Sequence, residues 1–124
     1  MDKGLFGISE DHFDGYLSLD KKFIKNKTAS YFFTAKGQAM EPSIFDKDIL
    51  LVDRSLKICN GKIIIASMEG EFICKRFFKI NGGVVLKSDN STFRDVHVTS
   101  EMEMVFFGVV ICVIRDVYGD FCAS

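Results

Sequence analysis

The sequence predicts a mainly β fold, a single compact domain of about seven short strands preceded by an extended amino-terminal arm. Three observations carry that prediction. Short runs rich in β-branched and aromatic residues recur from residue 30 onward, each closed by a turn signal. The chain holds only one proline, and its apolar residues show little of the 3.6-residue period of a helix. At 124 residues with 48% hydrophobic and 27% charged side chains, it is the size of one domain and apolar enough to build a core.

Residues 1–29 read as an arm and residues 30–124 as the domain. The arm is polar, with scattered apolar anchors such as Phe13, Leu19, Phe23 and Ile24; its first dozen residues are expected to be mobile, and Phe13 to Lys27 to lie against the domain. Asp20 to Lys27 is read as a short helical turn. The strands then follow in order. Tyr31 to Ala35 is aromatic and stops at Lys36-Gly37, and Ile49 to Val52 follows the Asp46-Lys47-Asp48 turn. Ile63 to Met68 is β-branched and closes at Glu69-Gly70, so that Phe72 to Phe78 pairs back on it as a hairpin. Asn81-Gly82-Gly83 is a second tight turn, leading into Val84 to Lys87. Arg94 to Thr99 and Met104 to Arg115 complete the set.

Composition narrows the function. The net charge of −1 gives no broad basic surface for nucleic acid, so direct sequence-specific DNA binding is not expected. Lys21-Lys22, Lys25 and Lys27 read as a solvated arm. Four cysteines without a Cys-x-x-Cys pair, and two histidines far apart (His12 and His97), do not suit a metal site; no metal and no cofactor are expected. The cysteines read as reduced core residues of a cytoplasmic protein, since no secretory signal opens the sequence and no apolar run has the length of a membrane span. Met40 reads as core filler, and Asp46 and Asp48 as turn residues.

One residue resists this pattern. On a strand over Phe72 to Phe78, Ile73, Lys75 and Phe77 share one face, while Cys74 and Arg76 share the other. A basic residue then stands among apolar neighbours on each face. Alone, this reads as long side chains whose heads reach water from a strand end. Alternatively, Lys75 is held against apolar surface without a carboxylate, where desolvation favours the neutral amine and makes it a general base. Such a base needs a nucleophile on a tight turn whose backbone N–H groups can stabilise an oxyanion, and the segment from Gly37 has that character.

Gly37-Gln38-Ala39-Met40 followed by Phe45-Asp46-Lys47-Asp48-Ile49-Leu50-Leu51-Val52-Asp53 resembles the Gly-x-Ser-Met…Asp-Gly-Asp-apolar run of the LexA/UmuD-type serine–lysine self-cleaving peptidases. Gly61 to Ala66, Gly70 to Arg76 and Val105 to Ile111 resemble that family's later strands, in order, so the likeness spans about residues 5–115. It implies the family's fold, with Lys75 as the general base, Ala39 at the nucleophile position, and the backbone N–H groups of Gln38 and Ala39 as the oxyanion hole. It also implies a self-cleavage bond at Lys3–Gly4, or that the chain begins near the processed end. Three departures stand out: Ala39 where serine is the rule, Ile73 where relatives often carry a threonine that orients the lysine, and Lys3 before the glycine. Without the hydroxyl the chain is expected not to cleave. Either the serine has been exchanged, trapping the uncleaved form, or this is an inactive natural member.

Within the family the short arm, with no helix-turn-helix ahead of it, resembles the UmuD type. That resemblance implies a role in SOS mutagenesis: a homodimer that meets a RecA-type recombinase filament on single-stranded DNA, is cleaved, and joins the catalytic subunit of an error-prone translesion DNA polymerase. The apolar last strand and the Tyr118 to Cys122 tail suit a homodimer contact. The alternative is the carboxy-terminal dimerisation and self-cleavage domain of a LexA- or phage-type repressor.

Overall fold

The computed structural model describes residues 18–119. Seven strands form one curled antiparallel sheet: β1 (Ser30–Thr34), β2 (Ile49–Asp53), β3 (Ile63–Met68), β4 (Glu71–Ile80), β5 (Gly83–Lys87), β6 (Val96–Val98) and β7 (Met104–Ile114). The mainly β reading holds, strand for strand. The largest differences are β6, which spans three residues where Arg94 to Thr99 is predicted, and β4, which runs over ten residues where Phe72 to Phe78 is predicted. Ahead of the sheet lie one short helix, α1 (Leu19–Phe23), capped by the Ser18 hydroxyl, and a 3-10 turn over Lys27–Ala29. The helix therefore stops before Lys27, because Asn26 starts a new turn by accepting from the Thr28 N–H. Lys21, Lys22, Lys25 and Lys27 are all exposed. Among the described residues no helix is long and apolar enough to cross a membrane.

Strand order is β1-β2-β7-β3-β4-β5-β6, so the last strand lies between β2 and β3. Two tight hairpins join β3 to β4 and β4 to β5, with Glu69-Gly70 and Asn81-Gly82 all at positive φ, as the right-handed strand twist requires of two-residue turns. β3 reads as an unbroken apolar run because both of its faces are covered. Ile65 packs with Met40, Ile44, Leu50 and Val52 on one side, and Ile64 and Ala66 pack with Phe77, Leu86 and Val109 on the other. β7 carries a register shift against each neighbour, at Leu51/Val52 and at Ile65/Ala66. Gly108 lies at the point of closest approach: a Cβ there would stand 2.8 Å from Val52 Cγ1 and 3.0 Å from the Asp53 carbonyl oxygen.

Two expectations change. Cys59 is exposed, in the loop between β2 and β3, and is not a core residue; Cys74 and Cys112 are half-buried, and all three thiols are free. Asp48 is more than a turn residue. It accepts from the Phe45 N–H and is buried with a bidentate pairing to Arg115, at 2.7 Å from both Nε and Nη2. His97, as expected, is exposed on an edge strand.

Candidate functional site

β1 ends at Thr34, and the chain crosses into the turn through Gly37, whose φ of +88° is left-handed and open only to glycine at low cost. The Gly37 N–H donates to Asp46 Oδ1 at 2.7 Å, which fixes the start of the turn. Bonds from Glu41 N to Gln38 O and from Ser43 and Ile44 N to Met40 O close it. Met40 is buried behind the turn, as the sequence suggests, and anchors it in the core. Among the described residues, neither the Gln38 nor the Ala39 N–H donates to a protein acceptor, so both remain available.

The second wall is β4. β3 pairs with it over Glu71–Arg76 and β5 only over Arg76–Ile80, so among the described residues the outer edge of residues 71–75 has no strand partner. A cleft of about 230 Å³ runs between the walls, lined by Phe33 to Gly37, Ala39, Met40 and Ile44 on one side and Phe72, Ile73, Cys74 and Lys75 on the other. Ala39 and Lys75, 36 positions apart in sequence, thus face one cavity. Edge-to-face contacts among Phe33, Phe72 and Phe107, with ring centroids 5.1 to 5.7 Å apart, stiffen one end of the cleft.

Lys75 lies cross-strand from Ile64, which is fully buried. Burial holds the Lys75 amine below the usual lysine range, with the neighbouring Cys74 opposing that shift. Its Nζ donates to Ser88 Oγ at 2.7 Å and lies 5.9 Å from the Phe93 ring centroid; it forms no ion pair with a carboxylate among the described residues. Cys74 is no substitute nucleophile, because burial pushes its thiol up to about 12 and keeps it protonated. Arg76, the basic residue of the opposite face, is spent on Asp89 through Nε (2.9 Å) and Nη2 (2.7 Å). Asp89 in turn accepts from the Ser43 hydroxyl, and Asn90 bonds both turn carbonyls, N–H to Ala39 O (2.9 Å) and Nδ2 to Gln38 O (3.1 Å). The segment Ser88-Asp89-Asn90 therefore ties the turn to the lysine strand. Sequence reading gave these three residues no role, since nothing local in them points across 50 positions.

The chain carries the fold, the turn and the lysine in one cleft, and a family model for "Peptidase S24-like" proteins matches residues 1–111. The chain belongs to the peptidase S24-like family. By family, peptidase S24-like proteins are serine peptidases that cleave themselves. Among similar proteins are the LexA repressor of Hahella chejuensis, 31% identical over 87% of this chain and 54% of that protein, and the LexA repressor of Photorhabdus laumondii, 28% identical over 88% of this chain and 55% of that protein. The LexA repressor of Clostridium kluyveri is 32% identical over 67% of this chain and 42% of its own length. The chain thus spans about half the length of the curated relatives it matches. These S24-like relatives carry the LexA name rather than the UmuD name, which favours the repressor-module alternative over the UmuD-type reading at least as far as family goes. The expected Lys3–Gly4 bond, His12 and Cys122 lie outside the described residues.

Proposed function

We propose that this chain is a LexA-type self-cleavage module in which the catalytic base is kept and the nucleophile is absent. It holds a peptide segment in its cleft without cutting it. The observation that supports this most strongly is the pairing, in one apolar cleft, of a desolvated lysine with an alanine on a glycine-led turn. In an active site of this kind the neutral Lys75 amine would take the proton of a residue-39 hydroxyl as its oxygen attacked the scissile carbonyl. The Gln38 and Ala39 N–H groups would face the resulting oxyanion. The Ala39 methyl removes the attacking atom and leaves the other parts in place. The unpaired outer edge of Glu71–Lys75 offers main-chain partners for an extended segment, and the cleft supplies apolar room for its side chains.

In this reading the module acts as a homodimer in a cytoplasmic DNA-damage regulator. Phe32, Val105 and Val113 leave apolar surface exposed on the sheet, which suits a second copy. A second reading is an UmuD-like accessory subunit that meets a RecA-type filament and a translesion polymerase. It shares the same self-cleavage scaffold and differs in what the module is attached to and meets.

The test restores the hydroxyl. Intact mass of Ala39→Ser, followed over time at neutral and alkaline pH, should show loss of an amino-terminal segment, faster as pH rises. Ala39→Ser/Lys75→Ala should stay whole. If the single variant also stays whole, even with activated recombinase filament, self-cleavage is not the chemistry of this scaffold. Capture of a translesion polymerase subunit, expected of the second reading alone, separates the two readings.

A further inference from the structure

Lys75 is half-buried, and its flexible four-carbon stem can carry the amine toward water. A base that acts on residue 39 must instead keep its amine in the cleft. Threonine, the orienting residue implied by family resemblance, is replaced here by Ile73, which has no hydroxyl. The hydroxyl that does meet Nζ comes from another strand: Ser88, directly after β5, at 2.7 Å. Ser88 does not line the cleft, whereas Lys75 does. It therefore holds the amine from outside the cleft lining, and takes up only one of the nitrogen's hydrogen bonds.

The neighbours of Ser88 extend the same task. Asp89 is fixed by Arg76 on β4 and by Ser43 in the turn, and its N–H approaches Met40 Sδ at 3.5 Å. Asn90 holds the carbonyls of Gln38 and Ala39. Three consecutive residues thus contact the base, its strand and the nucleophile turn. We propose that Ser88 is the positioning residue for Lys75, and that Ser88-Asp89-Asn90 sets the separation between the Lys75 amine and residue 39. This rests on the self-cleavage reading above for its purpose, but the contact itself does not. The titratable group that acts on the amine is Cys74 on its own strand; Lys36 lines the same cleft, and Asp89, next to Ser88, is paired with Arg76.

Two measurements test it. In the chain as it stands, the Lys75 13Cε and 15Nζ signals are followed by NMR against pH for the parent, Ser88→Ala and Ser88→Thr. Losing the anchor removes one hydrogen bond to the ammonium, which alone would lower the midpoint, but lets the amine hydrate, which relieves the leading cause of the shift. In Ser88→Ala the midpoint should therefore move up toward the ordinary 10.5, while Ser88→Thr should titrate like the parent. In the Ala39→Ser background, Ser88→Ala should cut the high-pH plateau rate of self-cleavage about tenfold to a hundredfold and shift its midpoint upward, with Thr restoring both. An unchanged Lys75 titration, or a Ser88→Ala loss that threonine does not rescue, overturns the proposal. If Ala39→Ser itself fails to cleave while the NMR shift is present, the self-cleavage reading falls and the Ser88–Lys75 anchor stands.

Discussion

Replacing Lys75 by methionine should make the protein more stable, which is the reverse of what most changes at a half-buried position do. Methionine matches the length of the stem and fills the cleft wall beside Ile73 and Cys74 with apolar atoms. That gains about 1 to 2 kcal/mol of apolar burial, reduced because part of the side chain still meets solvent. The Ser88 contact is lost, at about 0.5 to 1 kcal/mol, and the Ser88 hydroxyl can turn to water instead. The net gain is about 0.5 to 1 kcal/mol at pH 7, or about 2 to 5 °C in Tm for a chain of this size. The gain must also depend on pH in one direction. Because the folded-state value of Lys75 lies below 10.5, the unfolded chain binds more protons between the two values, and parent stability rises with pH through that window. The advantage of Lys75→Met is therefore fully present below the lowered value and fades as pH approaches 10.5. Urea titrations of both proteins at pH 7, 8.5 and 10 read the gap directly. A variant less stable than the parent at pH 7, or a gap that does not narrow with pH, would show that Lys75 is not held at a desolvation cost.

Two further predictions concern the frame of the site. Gly108→Ala should lower the urea midpoint by the equivalent of about 1 to 3 kcal/mol with an unchanged m value, since its methyl would stand 2.8 Å from Val52 Cγ1. An unaltered midpoint would mean that β7 has slack at its crossing with β2. Acid should loosen the fold below pH 3.8: Arg115 holds the Asp48 carboxyl low, and Arg76 does the same for Asp89. The stability these carboxylates contribute is present above the usual 3.8 and is lost as pH falls through their lowered values. Asp48→Asn and Asp89→Asn should each flatten the loss between pH 4 and pH 2 in fluorescence-monitored urea titrations, and a parent-like slope in both would refute the assignment.

The strands were legible because their signals are local. Ile63 to Met68 is β-branched, Glu69-Gly70 and Asn81-Gly82 supply left-handed turn residues, and the pleat sorts Ile73 and Phe77 from Cys74. That Ala39 and Lys75 line one cleft was legible for a different reason. A basic residue in an apolar run breaks the pattern, and a glycine-led turn that resembles a family motif supplies its candidate partner. What could not be read is set by pairing across long stretches of chain. Asp48 looked like a turn residue because its Arg115 partner is 67 positions away. Ser88, Asp89 and Asn90 have the composition of any strand-ending loop, and their importance exists only once β5 has brought them beside β4 and the turn. Cys59 was misplaced because cysteine tends toward the interior, whereas the loop that carries it does not.

The position of β7 governs the order in which this molecule can assemble. Residues 104–114 bond to β2 on one side and β3 on the other, so among the described residues they are the strand that joins the β1–β2 pair to the rest of the sheet. As synthesis proceeds from the amino terminus, the hairpins of β3, β4 and β5 can form early from neighbouring residues. The turn at residue 39 and the strand of Lys75 belong to pieces that have no common sheet until residues 104–114 have been made. The pairing that then closes them spans about sixty positions, a high contact order that predicts folding in milliseconds to seconds rather than microseconds. The cleft between them is thus unfinished until β7 has paired with both β2 and β3.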